Sequence, residues 1–146
     1  MKKSMLVMVI VLILGALVLS ACGGGGSSST EGSGLKRNAV AADYAGKTNP
    51  FDGQQAAADA GKELYTTNCA TCHGDSGKGD GPAGSALDPK PANLILTAAE
   101  TQPDYMHWVI SEGGAVAGLS ATMVSYKAIL TDDQVWQIVT YIKTLK

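Results

Sequence analysis

The sequence predicts an all-α domain over residues 54–146. Apolar residues recur at helical spacing near both ends of this region, a proline opens a further helical segment between them, and no stretch alternates with period two for long. The 146 residues suffice for about one domain. Because aromatic residues make up only 5% of the chain, its core is small, and such domains commonly need a metal, a disulfide or a cofactor to be stable.

The first predicted helix lies after Asp52, which can cap it together with Gln55 three residues later. We expect this helix to continue to about Thr67. Its apolar face consists of residues at helical spacing: Ala57, Ala60, Gly61, Leu64 and Tyr65.

A shorter helix is predicted to begin at Pro103 and to stop at Gly113. Its apolar side consists of Met106, Val109 and Ile110. Long loops are expected over residues 74–99 and 115–130. Loops of that length are unusual in so small a domain unless they have a function.

The last predicted helix follows Thr131, which forms a capping box with Gln134. Its apolar residues repeat at helical spacing: Val135, Ile138, Val139, Ile142 and Leu145. The cap and the repeat agree, so this helix is the best supported element of the predicted domain.

The N-terminus has the layout of a signal peptide, because Lys2 and Lys3 precede an apolar stretch that ends at Leu19. The sequence Leu19-Ser20-Ala21-Cys22 resembles the lipobox of bacterial lipoproteins at all four positions. This resemblance implies a signal peptide over residues 1–21 and a lipid on Cys22. The alternative is an uncleaved signal anchor with an incidental cysteine. Both interpretations tether the protein to a membrane and place the rest of it outside the cytoplasm.

Residues 22–53 are interpreted as the lipidated cysteine and a flexible linker, because Gly and Ser dominate residues 23–34 and no apolar residue lies among them. A coil of about thirty residues has a root-mean-square reach of roughly 30 Å. That reach would let a small domain face several partners at a membrane surface.

The charge balance argues against nucleic-acid binding. Eleven Lys and Arg against thirteen Asp and Glu give −2 for the whole chain, and removing Lys2 and Lys3 with the leader leaves −4. A nucleic-acid binder is expected to have the opposite sign. A docking partner of this protein is expected to offer positive charge, although Lys78, Lys90 and Lys127 can form a local basic patch.

The motif with the most chemical content is Cys69-Ala70-Thr71-Cys72-His73. C-x-x-C-H is the attachment signal for c-type haem. On a helical turn its two sulfurs and its imidazole point to one side. A thioredoxin-like redox pair would need a βαβ setting, and a zinc site would need more ligands than the one remaining histidine, His107, can supply.

With this motif, the chain resembles a class I monohaem cytochrome c from Ala58 to Leu145. The segments that support the resemblance are Gly61 to Tyr65, Cys69 to Gly74, Gly79 to Ala83, Pro91 to Leu94, Met123 to Tyr126, and Leu130-Thr131 leading into Trp136 and Tyr141. It implies the cytochrome c fold, with helices around one haem c attached through Cys69 and Cys72, and an electron-transfer role without a small-molecule substrate. The lipoprotein form is similar to the monohaem subunits of quinol-oxidising complexes such as alternative complex III.

The resemblance also implies two axial ligands of the haem iron, His73 and Met123. Val124 follows Met123 where the family commonly has proline, which removes a fixed φ and predicts a looser ligand loop. Met106 lies on the apolar side of its helix and is interpreted as a core residue. Ligation by His107 is the alternative to Met123.

Further roles follow from the resemblance alone. Pro82 is expected to place its carbonyl against the His73 imidazole, and Leu94, Trp108 and Tyr126 are expected to line the haem cavity. The implied partners are a quinol-oxidising complex, a terminal oxidase or a photosynthetic reaction centre. A haem enzyme or gas sensor with an open axial site is the alternative function.

Overall fold

The structure, a computed structural model, describes residues 37–146, so the predicted signal peptide and the Cys22 lipid site lie outside the described residues. The described region contains five α-helices: α1 Gln55–Asn68, α2 Ala70–His73, α3 Leu94–Glu100, α4 Pro103–Glu112 and α5 Asp132–Ile142. Two short 3₁₀ turns occupy Gly84–Ala86 and Ala115–Ala117. No strand occurs in this part of the chain, which confirms the predicted all-α class.

Helices α1 and α5 pack closely where Gly61 meets the backbone of Gln137. A Cβ atom at position 61 would overlap the Gln137 carbonyl oxygen, so only glycine allows this approach. One turn along, the rings of Tyr65 and Tyr141 lie 5.2 Å apart. This packing joins the helix before the cysteine motif to the last helix of the chain.

The predicted cap of α5 is present in the structure, whereas that of α1 is not. The Thr131–Gln134 capping box of α5 is present, with the Thr131 hydroxyl accepting from the Gln134 N–H and the Gln134 side chain accepting from the Thr131 N–H. The cap predicted at Asp52 is wrong. Helix α1 begins at Gln55 without a side-chain cap, and Asp52 instead pairs with Lys143 after α5.

The loop predicted over residues 74–99 contains α3. Asn93 caps this helix by accepting from the N–H groups of Ile95 at 3.0 Å and Leu96 at 3.3 Å. None of the seven residues of α3 is fully buried. The apolar periodicity that predicts longer helices therefore gives little signal here, whereas the Asn93 cap is readable from the sequence.

Residues 37–53, predicted as part of a flexible linker, pack against the helices instead. We call them the N-terminal strap. Asn38 donates from its backbone N–H to the Ala117 carbonyl at 2.9 Å, and Asn49 donates from Nδ2 to the Thr140 hydroxyl at 2.9 Å. The linker prediction is thus wrong for this part, because the strap has apolar side chains that the Gly/Ser-rich segment lacks.

Helix α4 has two buried faces. Met106 and Ile110, four residues apart, belong to the main core with α1 and α5. Tyr105 and Trp108 point to a second cluster, against which the strap packs. Within residues 37–146, no helix combines the length and hydrophobicity needed to cross a bilayer.

Candidate functional site

The two cysteines and His73 share one helical turn. The N–H groups of Cys72 and His73 donate to the Cys69 carbonyl at 3.1 and 2.9 Å, so the three side chains are placed at i, i+3 and i+4. Both thiols are free and half-buried. Burial raises the pKa of Cys69 to about 12, with a smaller contribution from Cys72, so the Cys69 thiol is protonated at neutral pH.

The His73 imidazole is oriented by a backbone carbonyl. Its Nδ1 lies 3.2 Å from the carbonyl oxygen of Ala92, which can only accept, so Nδ1 carries the proton in this hydrogen bond. Nε2 then keeps its lone pair. Burial lowers the pKa of His73, and the bond to Ala92 opposes this only in part. The ring is therefore a neutral imidazole with one nitrogen available to a metal.

The predicted role of Pro82 is wrong in this structure. Its carbonyl accepts from the Ser85 hydroxyl at 3.0 Å, while Ala92 serves His73. The loop after His73 folds back toward it, since the Gly79 N–H donates to the His73 carbonyl at 2.8 Å. Because Gly79 also lies against the Pro91 carbonyl, residues 91 and 92 run beside the histidine.

The glycine-rich loop packs directly on the cysteine turn. A Cβ atom at Gly81 would meet the carbonyl oxygens of Ala70 and Thr71, and one at Gly84 would overlap the Cys72 carbonyl oxygen. The N–H of Gly81 donates to the Cys72 carbonyl at 3.2 Å. These glycines thus bring the loop against the end of α2.

Two of the predicted cavity residues, the predicted ligand Met123 and Cys69 border the same apolar core. Cys69, Leu94, Met123 and Tyr126 are all partly buried and pack against it. The Tyr126 hydroxyl donates to the Asn68 carbonyl at 2.8 Å, immediately before Cys69. Tyr126, which is 58 positions from Asn68 along the chain, therefore lies beside the cysteine motif.

Trp108 joins a different apolar cluster from Leu94 and Tyr126, which border the main core. It lies in the second cluster, with Tyr105 and Ala117, on the side of α4 that faces the strap. The physical reason is helical geometry, because Trp108 is two residues from both Met106 and Ile110 and so falls on another face. The structure groups it with the strap and not with Cys69.

Residues 120–130, which we call the Met123 segment, are held by the end of α4. The carbonyl of Met123 accepts from the Gly114 N–H at 2.8 Å. The N–H groups of Tyr126 and Lys127 donate to the carbonyls of Ile110 and Ser111, each at 3.1 Å. The last carbonyls of a helix have no partner inside it, and here they are used to fix this segment.

His107 lies between the strap and α5. Its ring stacks on Trp136 at 4.0 Å between centroids and lies 5.6 Å from the Tyr44 ring. Nε2 is 3.0 Å from Asp132 Oδ1, within ion-pair distance but without hydrogen-bond geometry. Burial lowers the pKa of His107, while Asp132 partly opposes the shift. The environment is that of a packed core histidine.

The residues present fit a covalently attached haem. One turn offers two thiols and a neutral imidazole, and partly buried apolar residues, a methionine among them, border the same core. Within the described range, no group of three or more His, Cys, Asp and Glu side chains is arranged to hold a bare metal ion.

Sequence reasoning missed three groups that shape the site. The Ala92 carbonyl orients His73, the Tyr65 hydroxyl donates to the Gly74 carbonyl at 2.7 Å, and Glu112 bonds to both the strap and the Met123 segment. Tyr65 has a signal, since it lies on the predicted apolar face of α1. The other two have none, because they depend on contacts between distant segments.

Comparison with known proteins agrees with this geometry. The family model for cytochrome c matches residues 58–146. A chain of the Kuenenia stuttgartiensis reducing HAO-like protein complex is similar in structure, with a TM-score of 0.50 and 25% identity over 63% of this chain and 45% of that one. The present chain thus spans less than half the length of that relative.

A second solved structure supports the fold alone. Cytochrome CL from the marine methylotrophic bacterium Methylophaga aminisulfidivorans MPT has a TM-score of 0.52 and 17% identity, over 79% of this chain and 71% of that one. A search of curated proteins gave no match.

Proposed function

Since this chain belongs to the cytochrome c family, with its covalently bound haem and its role in electron transfer, we propose that it is a lipid-anchored, extracytoplasmic carrier of single electrons. The observation that carries the proposal is the single turn with Cys69, Cys72 and His73, in which Ala92 orients the imidazole. The two sulfurs would hold the haem through thioether bonds, and His73 Nε2 would ligate the iron.

Met123 would ligate the iron from the other side. It is the methionine of the segment that the end of α4 holds, and it packs against the core that Cys69 also borders. Met106 is 4% exposed inside that core, and His107 is packed against Trp136. These placements favour Met123 over both alternatives.

A six-coordinate site determines what the chain can do. One-electron exchange between ferric and ferrous iron is the chemistry that the haem supplies when bound. If His73 and Met123 both ligated the iron, the protein would leave no coordination site for a substrate. A thioether sulfur favours the reduced iron, so a donor nearer quinol and an acceptor such as an oxidase or a photosynthetic centre are the expected partners.

The proposed anchor is the lipid on Cys22. Fourteen residues separate Cys22 from Arg37, where the strap begins, and a chain of that length extends at most about 50 Å. The structured domain is therefore expected to stay within that distance of the membrane. The net charge of −4 after removal of the leader favours a partner with a basic docking surface.

The test compares two methionines in the full-length haem protein. Met123→Ala is expected to keep the covalent haem, lose the weak far-red charge-transfer band of Met-ligated ferric haem, and bind carbon monoxide rapidly when reduced. Met106→Ala, the matched control, is expected to lower stability by about 3 kcal/mol and keep the band. Rapid binding of carbon monoxide to the wild-type protein would instead favour a haem enzyme or gas sensor.

A second candidate is a fixed subunit of a quinol-oxidising assembly such as alternative complex III. It is supported by the similarity to one chain of a reducing HAO-like protein complex, because that chain is part of an assembly. Extraction of native membranes with mild detergent separates the candidates. A carrier elutes alone, whereas a subunit brings its partners with it.

A further inference from the structure

The N-terminal strap is attached to the domain at both of its ends. At its start, Asn38 donates from Nδ2 to the Val116 carbonyl at 2.8 Å. At its end, Asp52 pairs with Lys143 and Asn49 bonds Thr140. Between these points, Tyr44 packs against the second apolar cluster. The electron-transfer role proposed above gives this segment no task.

One side chain of α4 joins the strap to the Met123 segment. The Tyr44 hydroxyl of the strap donates to Glu112 Oε1 at 2.8 Å. Lys127 of the Met123 segment donates from Nζ to Glu112 Oε2 at 2.6 Å. Both hydrogen bonds lower the pKa of Glu112, that from Lys127 the more, so the carboxylate is charged at neutral pH. Its two oxygens thus hold Tyr44 and Lys127, two residues that are more than eighty positions apart.

The hydrogen bond from Lys127 to Glu112 can affect how firmly the Met123 segment is held. Val124 stands after the methionine in place of the proline that would fix the backbone. The valine side chain is 55% exposed, so it adds little packing. The segment depends on hydrogen bonds to α4, and two of its side chains reinforce them: Ser125 donates from its hydroxyl to the Ser111 carbonyl at 2.6 Å, and Lys127 donates to Glu112.

We propose that Glu112 is a positioning residue, which links the strap to the Met123 segment through Tyr44 and Lys127 and thereby favours the state in which Met123 ligates the iron. The inference rests on the proposed function, because it takes Met123 as the axial ligand. It gives the strap a role in setting the strength of that ligation.

The test measures how well imidazole competes with Met123 for the iron of the ferric full-length protein. Binding of imidazole is monitored by the loss of the far-red band. Glu112→Gln is expected to tighten apparent imidazole binding by about three- to tenfold, the range for losing one or two partly exposed charged hydrogen bonds. Asp52→Asn is the matched control, since it removes a carboxylate that ties the strap to Lys143 and not to the Met123 segment, and it is expected to leave imidazole binding unchanged.

A double-mutant cycle tests the link itself. Tyr44→Phe and Lys127→Gln change residues that are joined through Glu112. If Glu112 transmits the effect, Tyr44→Phe tightens imidazole binding in the wild-type background and has a smaller effect once Lys127 is replaced. Fully additive effects would contradict the link.

The outcomes separate this inference from the function on which it rests. A wild-type protein that never shows the far-red band overturns Met123 ligation and this inference together. A wild-type band with unchanged imidazole binding in Glu112→Gln overturns this inference alone. Equal shifts in Glu112→Gln and Asp52→Asn also overturn it, because they would reduce Glu112 to a general support of the fold.

Discussion

The two sides of the proposed haem site are built in different ways. The His73 side is largely local, since Cys69 to His73 form one turn and the residues that cover it lie within about twenty positions. The Met123 side depends on distant partners, because Tyr126 reaches Asn68 across 58 positions and Glu112 reaches Tyr44 across 68. We therefore expect covalent attachment at Cys69 and Cys72 to tolerate losses of tertiary structure that the proposed ligation by Met123 would not.

The largest expected effect is the loss of covalent haem attachment on the His73 side. Replacing both cysteines, Cys69→Ala with Cys72→Ala, removes the only thiols of the turn and is expected to abolish covalent haem attachment completely. The measurement is the pyridine haemochrome spectrum of the protein after acidic acetone extraction. Haem that stays bound after this extraction would contradict the proposed attachment.

The next effect tests the scaffold that joins the two sides. Gly61→Val places a side chain against the Gln137 backbone and is expected to lower the free energy of unfolding by about 3 kcal/mol. In a denaturant titration the far-red band is expected to disappear early, while the haem stays attached. Gly53→Ala is the control, because position 53 has open space and a φ of 74°, which costs about 1 kcal/mol. Equal losses in the two variants would argue against the close packing of α1 and α5.

A smaller effect sharpens the comparison within the Met123 side. Tyr126→Phe removes the hydrogen bond to the Asn68 carbonyl and is expected to destabilise the protein by about 1 kcal/mol. Tyr105→Phe is the matched control, because the buried Tyr105 hydroxyl has no hydrogen-bond partner among the described residues. It is expected to be neutral or slightly stabilising. Chemical denaturation of both variants gives the two changes in the free energy of unfolding. A clear loss of stability in Tyr105→Phe would contradict the conclusion that the Tyr105 hydroxyl has no partner.

The smallest effect is a pH dependence from His107, which Asp132, Lys47, Tyr44 and Trp136 surround. Its pKa is lowered in the folded state, so the unfolded chain takes up a proton first as the pH falls below about 6.5. Stability is therefore lost as the pH falls from that value toward the folded pKa. His107→Phe is expected to reduce the slope of unfolding free energy against pH in this window, and an unchanged slope would contradict it.

The same contrast explains what the sequence predicts well. The α5 capping box, the helix from Pro103 and the cysteine turn are local patterns, and the structure has all three elements. Helix α3 was missed because it has no fully buried face, although Asn93 marks its start. The contact expected between Pro82 and His73 is made by Ala92 instead, because it depends on how distant segments meet. The packing of the strap on α4 likewise depends on contacts between distant segments, so no local sequence pattern predicts it.

A potentiometric titration of the purified wild-type protein tests the central claim most directly. If a covalent haem with His73 and Met123 as axial ligands carries single electrons, the haem spectrum follows one reversible one-electron wave, and the ferric form has the far-red band throughout. A protein without a haem wave, or one whose reduced form binds carbon monoxide as fast as it is mixed, would contradict the claim.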